Sequence, residues 1–411
     1  MTNASPSRQA FWGEVESCLT PGMAKRLGER GHDIVVARAD GASLFGEDGK
    51  GYLDAMGGDG SFNLGHRHPQ LVEALKAAAR ETDQGNFPMI SREKAALAKA
   101  LAHFAGHGLE CVVFSVVRGE TVEFACKIAR GVSERQELVA FDGAWHGQTG
   151  FALTLSERRD KAGFGPLIPE TRLLPYGDEK ALRNALSSKT AAVLFEPVQV
   201  ENHCRQADPE FCRTLRSLCD ETGALLIQDE SQTGFYRCGP AFVGRLSSLR
   251  PDLLVLGEAL GGGLFPIAAT VFTQDVNRFL NQHPMIHLST FGGSDVGCRV
   301  ALAALDVYRH EKLEDRVERT GKLLEQGLRK LQSAHPTLLL SVAGRGMVWS
   351  LKLNAPESAL AFCREAAACG LLLREGKVDK TTVLLRPSLL LDDGELARLL
   401  AALNDTAGRL G

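Results

Sequence analysis

Short apolar runs alternate with stretches of helical periodicity along most of this chain, and that alternation limits its fold more than any other feature. Strand-sized runs fall at 191–195, 225–227, 253–256 and 268–272, and helical spacing at 70–80, 120–130, 209–222 and 297–331. The pattern predicts a mostly parallel sheet covered by helices, an α/β fold. After Glu311 it changes to a helix, two strands (338–341 and 347–353), a helix, two strands (371–373 and 383–385) and a final helix from Asp393. That order suits a smaller α+β domain, with Asp392 and Asp393 reading as a helix N-cap. Two of the apolar runs end on acids, Asp229 after 225–227 and Glu258 after 253–256, the second inside the glycine-rich stretch Gly257 to Gly263. Ligands in open α/β sheets settle beyond the carboxyl ends of the strands, so these two acids are expected to share one pocket.

Composition excludes several classes of function. The 411 residues carry a net charge of −3 with basic and acidic residues mixed, which is not the footprint of a nucleic-acid binder. No run approaches the ~18 apolar residues that span a bilayer. The start, Met1 to Ser7, is polar and lacks a signal-like apolar stretch, and the expected location is cytoplasmic. Ten cysteines without a CxxC pair fit buried reduced thiols.

Further motifs occur in order along nearly the whole chain: Gly49-Lys50-Gly51-Tyr52-Leu53-Asp54, Asn63-Leu64-Gly65-His66-Arg67-His68-Pro69, Phe141 to Thr149, Glu196-Pro197-Val198-Gln199 and Ser289-Thr290-Phe291-Gly292-Gly293. With the two acid-ended strands, they make the chain resemble the class III aminotransferases, pyridoxal-phosphate (PLP) enzymes of fold type I. The resemblance implies a large domain over 56–310 with a seven-stranded sheet. It also implies a small domain over 311–411, with 1–55 packing on the small one.

By the same resemblance, Asp229 pairs with the pyridinium nitrogen of PLP, or else caps a loop after its strand. Trp145 stacks on the ring or serves as a core aromatic, and His146 follows it as in the family. Gln232 and Thr290 match cofactor positions, Thr290 reaching the neighbouring subunit's phosphate in a homodimer with sites at the subunit interface. Glu201 and Arg386 stand as substrate-binding candidates, although Arg386 is displaced from the family's carboxylate-binding arginine.

Two positions depart from the family. Glu258 stands where the Schiff-base lysine is expected, and a carboxylate cannot form an imine. The phosphate cup, usually close to Asn-Ser-Gly-Thr-Glu, reads Val116-Val117-Arg118-Gly119-Glu120. Either Arg118 grips a phosphate, with Gly119 beside it, or it pairs with Glu258 in the cavity or flanks a different ligand. Without such a partner, Glu258 beside Asp229 is expected to force one carboxylate to hold its proton. Lys127, Lys189, Lys352, Lys377 and Lys380 are not expected at a strand end beside Asp229. Glu196, Glu201, Glu230, His146, Asp229 and Glu258 match no metal motif in their spacing, so no metal is expected.

The expectation is an enzyme on a small amino- or keto-type metabolite, with Glu258, Asp229 and His146 in acid/base roles. PLP or pyridoxamine phosphate is then bound without covalent attachment or not at all, and the chemistry is of lyase, isomerase or cyclase type. The alternative is a lapsed aminotransferase homologue serving as a structural or regulatory partner.

Overall fold

The structure, a computed structural model, describes residues 8–85, 89–157, 160–247 and 249–411; the polar start at 1–7 lies outside them. Its centre is a seven-stranded sheet of β1 (Leu109–Ser115), β2 (Glu137–Phe141), β3 (Thr171–Leu174), β4 (Thr190–Phe195), β5 (Leu225–Asp229), β6 (Leu253–Leu256) and β7 (Ala268–Thr273), in the order β1-β7-β6-β5-β4-β2-β3. Only β7 runs antiparallel to its neighbours. Every residue of β2, β4 and β6 is buried, as expected of strands covered by helices on both faces. That is why these stretches are apolar without alternation after the polar residues Glu137 and Thr190 that open β2 and β4.

The helix Arg118–Ser133 packs Val122, Phe124, Ala125 and Ile128 against Ala192, Ile227 and Val255 of the sheet. At ~25 cal/mol per Å² of apolar surface, such a face dominates the helix's stabilisation. Asp229 of β5 lies in register with Val255 of β6, so the loops leaving these strands are neighbours. Gly257 permits their contact, because a Cβ there would sit 2.6 Å from the Ser231 carbonyl oxygen.

The helical stretch expected at 297–331 is two helices, Asp295–His310 and Leu313–Ala334. Lys312 takes a left-handed conformation between them (φ 47°), a local break that apolar periodicity does not report. A four-stranded antiparallel sheet follows, in the order Ser341–Arg345, Val348–Lys352, Thr382–Leu385, Arg374–Glu375. Residues 338–340, expected in the first of these strands, precede it. The N-terminal strand Gly51–Asp54 pairs in parallel with Leu371–Leu372, which ties the two ends of the chain together. Buried Arg237 holds this region to the loop after Thr382–Leu385 through Asn63 Oδ1 (2.7 Å) and the carbonyls of Met347 (2.9 Å) and Pro387. All ten cysteines are unpaired, and most are buried. No helix among the described residues is long and apolar enough to cross a membrane.

Asp392 does cap the final helix Asp393–Leu410, accepting from the Glu395 amide at 2.7 Å while the Glu395 carboxylate accepts from the Asp392 amide at 3.1 Å. Asp392→Ala is expected to cost about 1 kcal/mol, read as a lower denaturation midpoint, and an unchanged midpoint would show that the cap contributes nothing.

Candidate active site

Asp229 closes β5 with a fully buried carboxylate. Its Oδ2 lies 2.7 Å from His146 Nδ1, and its Oδ1 accepts the Ser231 amide at 2.9 Å. Burial alone would raise this acid, but the hydrogen bond and charge of His146, together with Ser231, outweigh it and hold Asp229 below the usual carboxylate range. Glu196, just past β4, goes the other way. Burial first and the charge of Asp229 second push it well up, against the Trp145 amide that Oε2 accepts at 2.9 Å. The carboxyl forced to hold a proton is therefore Glu196, which the sequence marks only as part of a Glu-Pro motif. Donor atoms of His146, Glu196 and Asp229 lie within 4.8 Å of one another, a convergence that their spacing in sequence does not announce.

Glu258 opens a helical turn after β6 and is half-buried. Its Oε1 accepts the backbone amide of Arg118 at 3.0 Å, so the carboxylate caps the helix Arg118–Ser133. A helix N-terminus carries unpaired amides and about half a positive charge, which suits an anion. Arg118 and Glu258 meet through the main chain and not as the expected ion pair, because the carboxylate takes the free amide at the helix start. The next carboxylate, Glu120, accepts the Val116 amide at 2.8 Å.

The Arg118 guanidinium turns to Asp59, with Nη2 at 3.9 Å from Oδ2. Asp59 gathers three further cations: Arg374 (2.6 Å) and Arg386 (2.7 Å) on Oδ1, and Lys377 on Oδ2. Burial would raise Asp59, but Arg386, Arg374 and Lys377 hold it far below the usual range. Gly57 makes this loop possible, since it adopts φ 58° and a Cβ there would overlap the Arg386 carbonyl oxygen. Glu201 takes Arg374 in a two-pronged pair (2.5 and 3.0 Å), the Lys377 amide at 2.8 Å and Arg386 at 3.4 Å. Against its burial, Arg374 and Arg386 bring Glu201 down to about 2. Both substrate-binding candidates, Glu201 and Arg386, are thus in the cleft and bonded to each other.

Asp59, Arg374 and Lys377 are the residues that sequence reasoning missed. An acid inside Gly57-Gly58-Asp59-Gly60 and a charged Arg374-Glu375-Gly376-Lys377 directly after an apolar run were the available signals. Lys377, expected away from Asp229's strand, reaches the cleft wall with Nζ 5.0 Å from the centre of the buried Trp145 ring. Gln232 accepts from Arg386 Nη1 at 2.8 Å. Gly119 is buried in the first turn of the capped helix. Thr290 stands apart from this group, exposed in a hollow with Ile90, Lys94 and Gly292.

Within this knot four cations (Arg118, Arg374, Lys377, Arg386) face three carboxylates (Asp59, Glu201, Glu258). Buried Arg118 Nη1, Arg386 Nε, Gln232 Nε2 and His146 Nε2 have no hydrogen-bond partner among the described residues. A buried polar group left unpaired costs roughly 1–3 kcal/mol, so the three donors among these atoms, on Arg118, Arg386 and Gln232, describe a place suited to a ligand rich in acceptor oxygens.

Glu196 carries a proton in the folded chain that the unfolded chain releases above about pH 4.3, so its burial lowers stability as pH rises beyond that value. Glu196→Gln is expected to stabilise the protein by at least about 1 kcal/mol at pH 8, with the difference fading below pH 4. Thermal melting across that range checks it, and a variant less stable at pH 8 would contradict the assignment.

Residues 26–407 match the family described as Aminotransferase class-III. An uncharacterized aminotransferase of Archaeoglobus fulgidus is 38% identical over 317 residues, covering 77% of this chain and 75% of that one. Ornithine aminotransferase 1 of Staphylococcus aureus (strain Mu50 / ATCC 700699) is 34% identical over 90% of this chain and 94% of its own. The crystal structure of the ornithine aminotransferase from Toxoplasma gondii ME49 superposes with a TM-score of 0.91 at 26% identity, covering 98% and 96% of the two chains. On sequence and fold together, this chain belongs to the class III aminotransferase family.

Proposed function

We propose that this protein is a class III aminotransferase-like enzyme of altered mechanism, which performs acid/base chemistry on a small amino- or keto-type metabolite bearing an anionic group. The observation that carries this reading is the set of unpartnered buried donors, Arg118 Nη1, Arg386 Nε and Gln232 Nε2, beside a knot with a surplus cation. Glu258 takes the position of the family's Schiff-base lysine and acts as a proton-moving carboxylate. Groups whose surroundings drive their pKa values apart mark acid and base roles. Here Glu196 is held protonated while Asp229, locked to His146, stays ionised.

Relatives in this family work on PLP, and the residues here do not fit that cofactor in the family's manner. The Arg118 amide is occupied by Glu258, and the Val116 amide by Glu120. Both oxygens of Asp229 are engaged within the chain, and the Lys377 ammonium lies over the Trp145 ring. A phosphate dianion entering this helix N-terminus would meet a carboxylate already there, a like-charge contact in a low dielectric. No step is therefore routed through the cofactor. The protein acts as a homodimer, a reading supported by the exposed apolar residues Met89, Ile90, Leu288 and Phe291 around Thr290.

A second reading, a lapsed homologue serving as a structural partner, is favoured by the same closure of Glu258 on the helix amide. Consumption of small amino and keto acids, followed by NMR, separates the two. Glu258→Ala is expected to lower turnover of the substrate so found by about 10²- to 10⁴-fold with an intact fold, and full activity would refute the role of Glu258. Titration with pyridoxamine phosphate, which has no aldehyde to condense with a lysine, is expected to give no melting shift. A ligand at a hundred times its Kd would add about 2.7 kcal/mol, so stabilisation of that size would return the cofactor to the site.

A further inference from the structure

Lys377 follows the strand Arg374–Glu375 and lines a cavity of about 690 Å³ with Trp145, Gln148, Glu157, Asp160 and Lys380. Its side chain is 23% exposed, open to that cavity but largely packed. Nζ donates to Asp59 Oδ2 and sits 5.0 Å over the Trp145 ring, so the amine has a fixed position. The unpartnered donors Arg118 Nη1, Arg386 Nε and Gln232 Nε2 belong to side chains joined to the same Asp59, directly or through Arg386.

We propose that Lys377 is a carbonyl-reactive amine, which takes a small keto or aldehyde acid from this cavity as an imine while Lys380, a cation on the same cavity wall, receives the acid group. The step balances without an oxidant or reductant. The unprotonated Nζ adds to the carbonyl carbon, the carbonyl π bond breaks onto oxygen, and a nitrogen proton moves to that oxygen. The hydroxyl then takes up the second nitrogen proton and leaves as water, while the nitrogen electron pair forms a C=N bond in place of the C=O.

The electrostatics support a free amine. Burial lowers Lys377 to about 8; Glu201 and Asp59 oppose that shift, and Arg374 and Arg118 reinforce it. Desolvation and a neighbouring cation are the established means of making a lysine nucleophilic near neutrality. Relative to a lysine of ordinary pKa, about 10.4, this gives roughly a hundredfold more free amine at pH 7.5. The inference is independent of the role assigned to Glu258, because the readout below follows Lys377 alone.

The full-length protein is treated at pH 7.5 with glyoxylate and sodium cyanoborohydride, and labelled peptides are mapped by mass spectrometry. Labelling of Lys377 is expected at least about tenfold faster than at exposed lysines such as Lys76 and Lys322, and to level off above about pH 8. Acetate in excess is expected to slow Lys377 and leave exposed lysines unaffected. Labelling that follows exposure alone, with Lys377 among the slowest, overturns the proposal. A Lys377 rate that climbs steadily through pH 10 does the same. Propionaldehyde labelling Lys377 as fast as glyoxylate would overturn the requirement for an acid group.

Discussion

The convergence of cations on Asp59 is the constraint on which the cleft depends. Segments far apart in sequence, around residues 59, 118, 374–377 and 386, are brought to one carboxylate. Removing water from a charge costs several kcal/mol per ion unless partners replace the lost hydration. Asp59 and Glu201 supply that replacement for Arg374 and Arg386, and Gly57 and Gly58 let the loop enter where a side chain would collide. The cleft is thus held by mutual dependence, since the loss of either acid would strand buried guanidinium groups.

Glu258 applies the same logic at the helix start. An unpaired amide at a helix N-terminus attracts an anion, whether that anion is a phosphate from outside or a carboxylate of the chain. Supplying the carboxylate internally satisfies the amide without a ligand. Asp229 and Glu196 show how strongly the local environment acts. The two buried carboxyls are close neighbours, and the one bonded to His146 stays ionised while the other keeps its proton.

Much of the architecture was legible because burial leaves a direct mark on sequence. The helix Pro209–Thr222 and the acids after β5 and β6 follow from apolar spacing alone. Strands β1 and β3 were less legible because their runs mix charged residues with the apolar ones, as in Thr171-Arg172-Leu173-Leu174. Among site residues, Asp229, His146, Arg118 and Glu258 were recognisable from motifs. Glu196 stood in a motif, but its raised pKa was not legible because it needs Asp229 beside it, which is a fact about space.

The sequence by itself determined the α/β class, the family resemblance, and the presence of an acid at position 258, since each depends on residue identity or on short-range periodicity. Only the tertiary structure decided that Glu258 bonds a backbone amide, that Asp59 gathers the arginines, and that Lys377 reaches Trp145. These contacts join residues between about 60 and 330 positions apart, and one-dimensional patterns fix local conformation without fixing which distant charges must neutralise one another once water is removed.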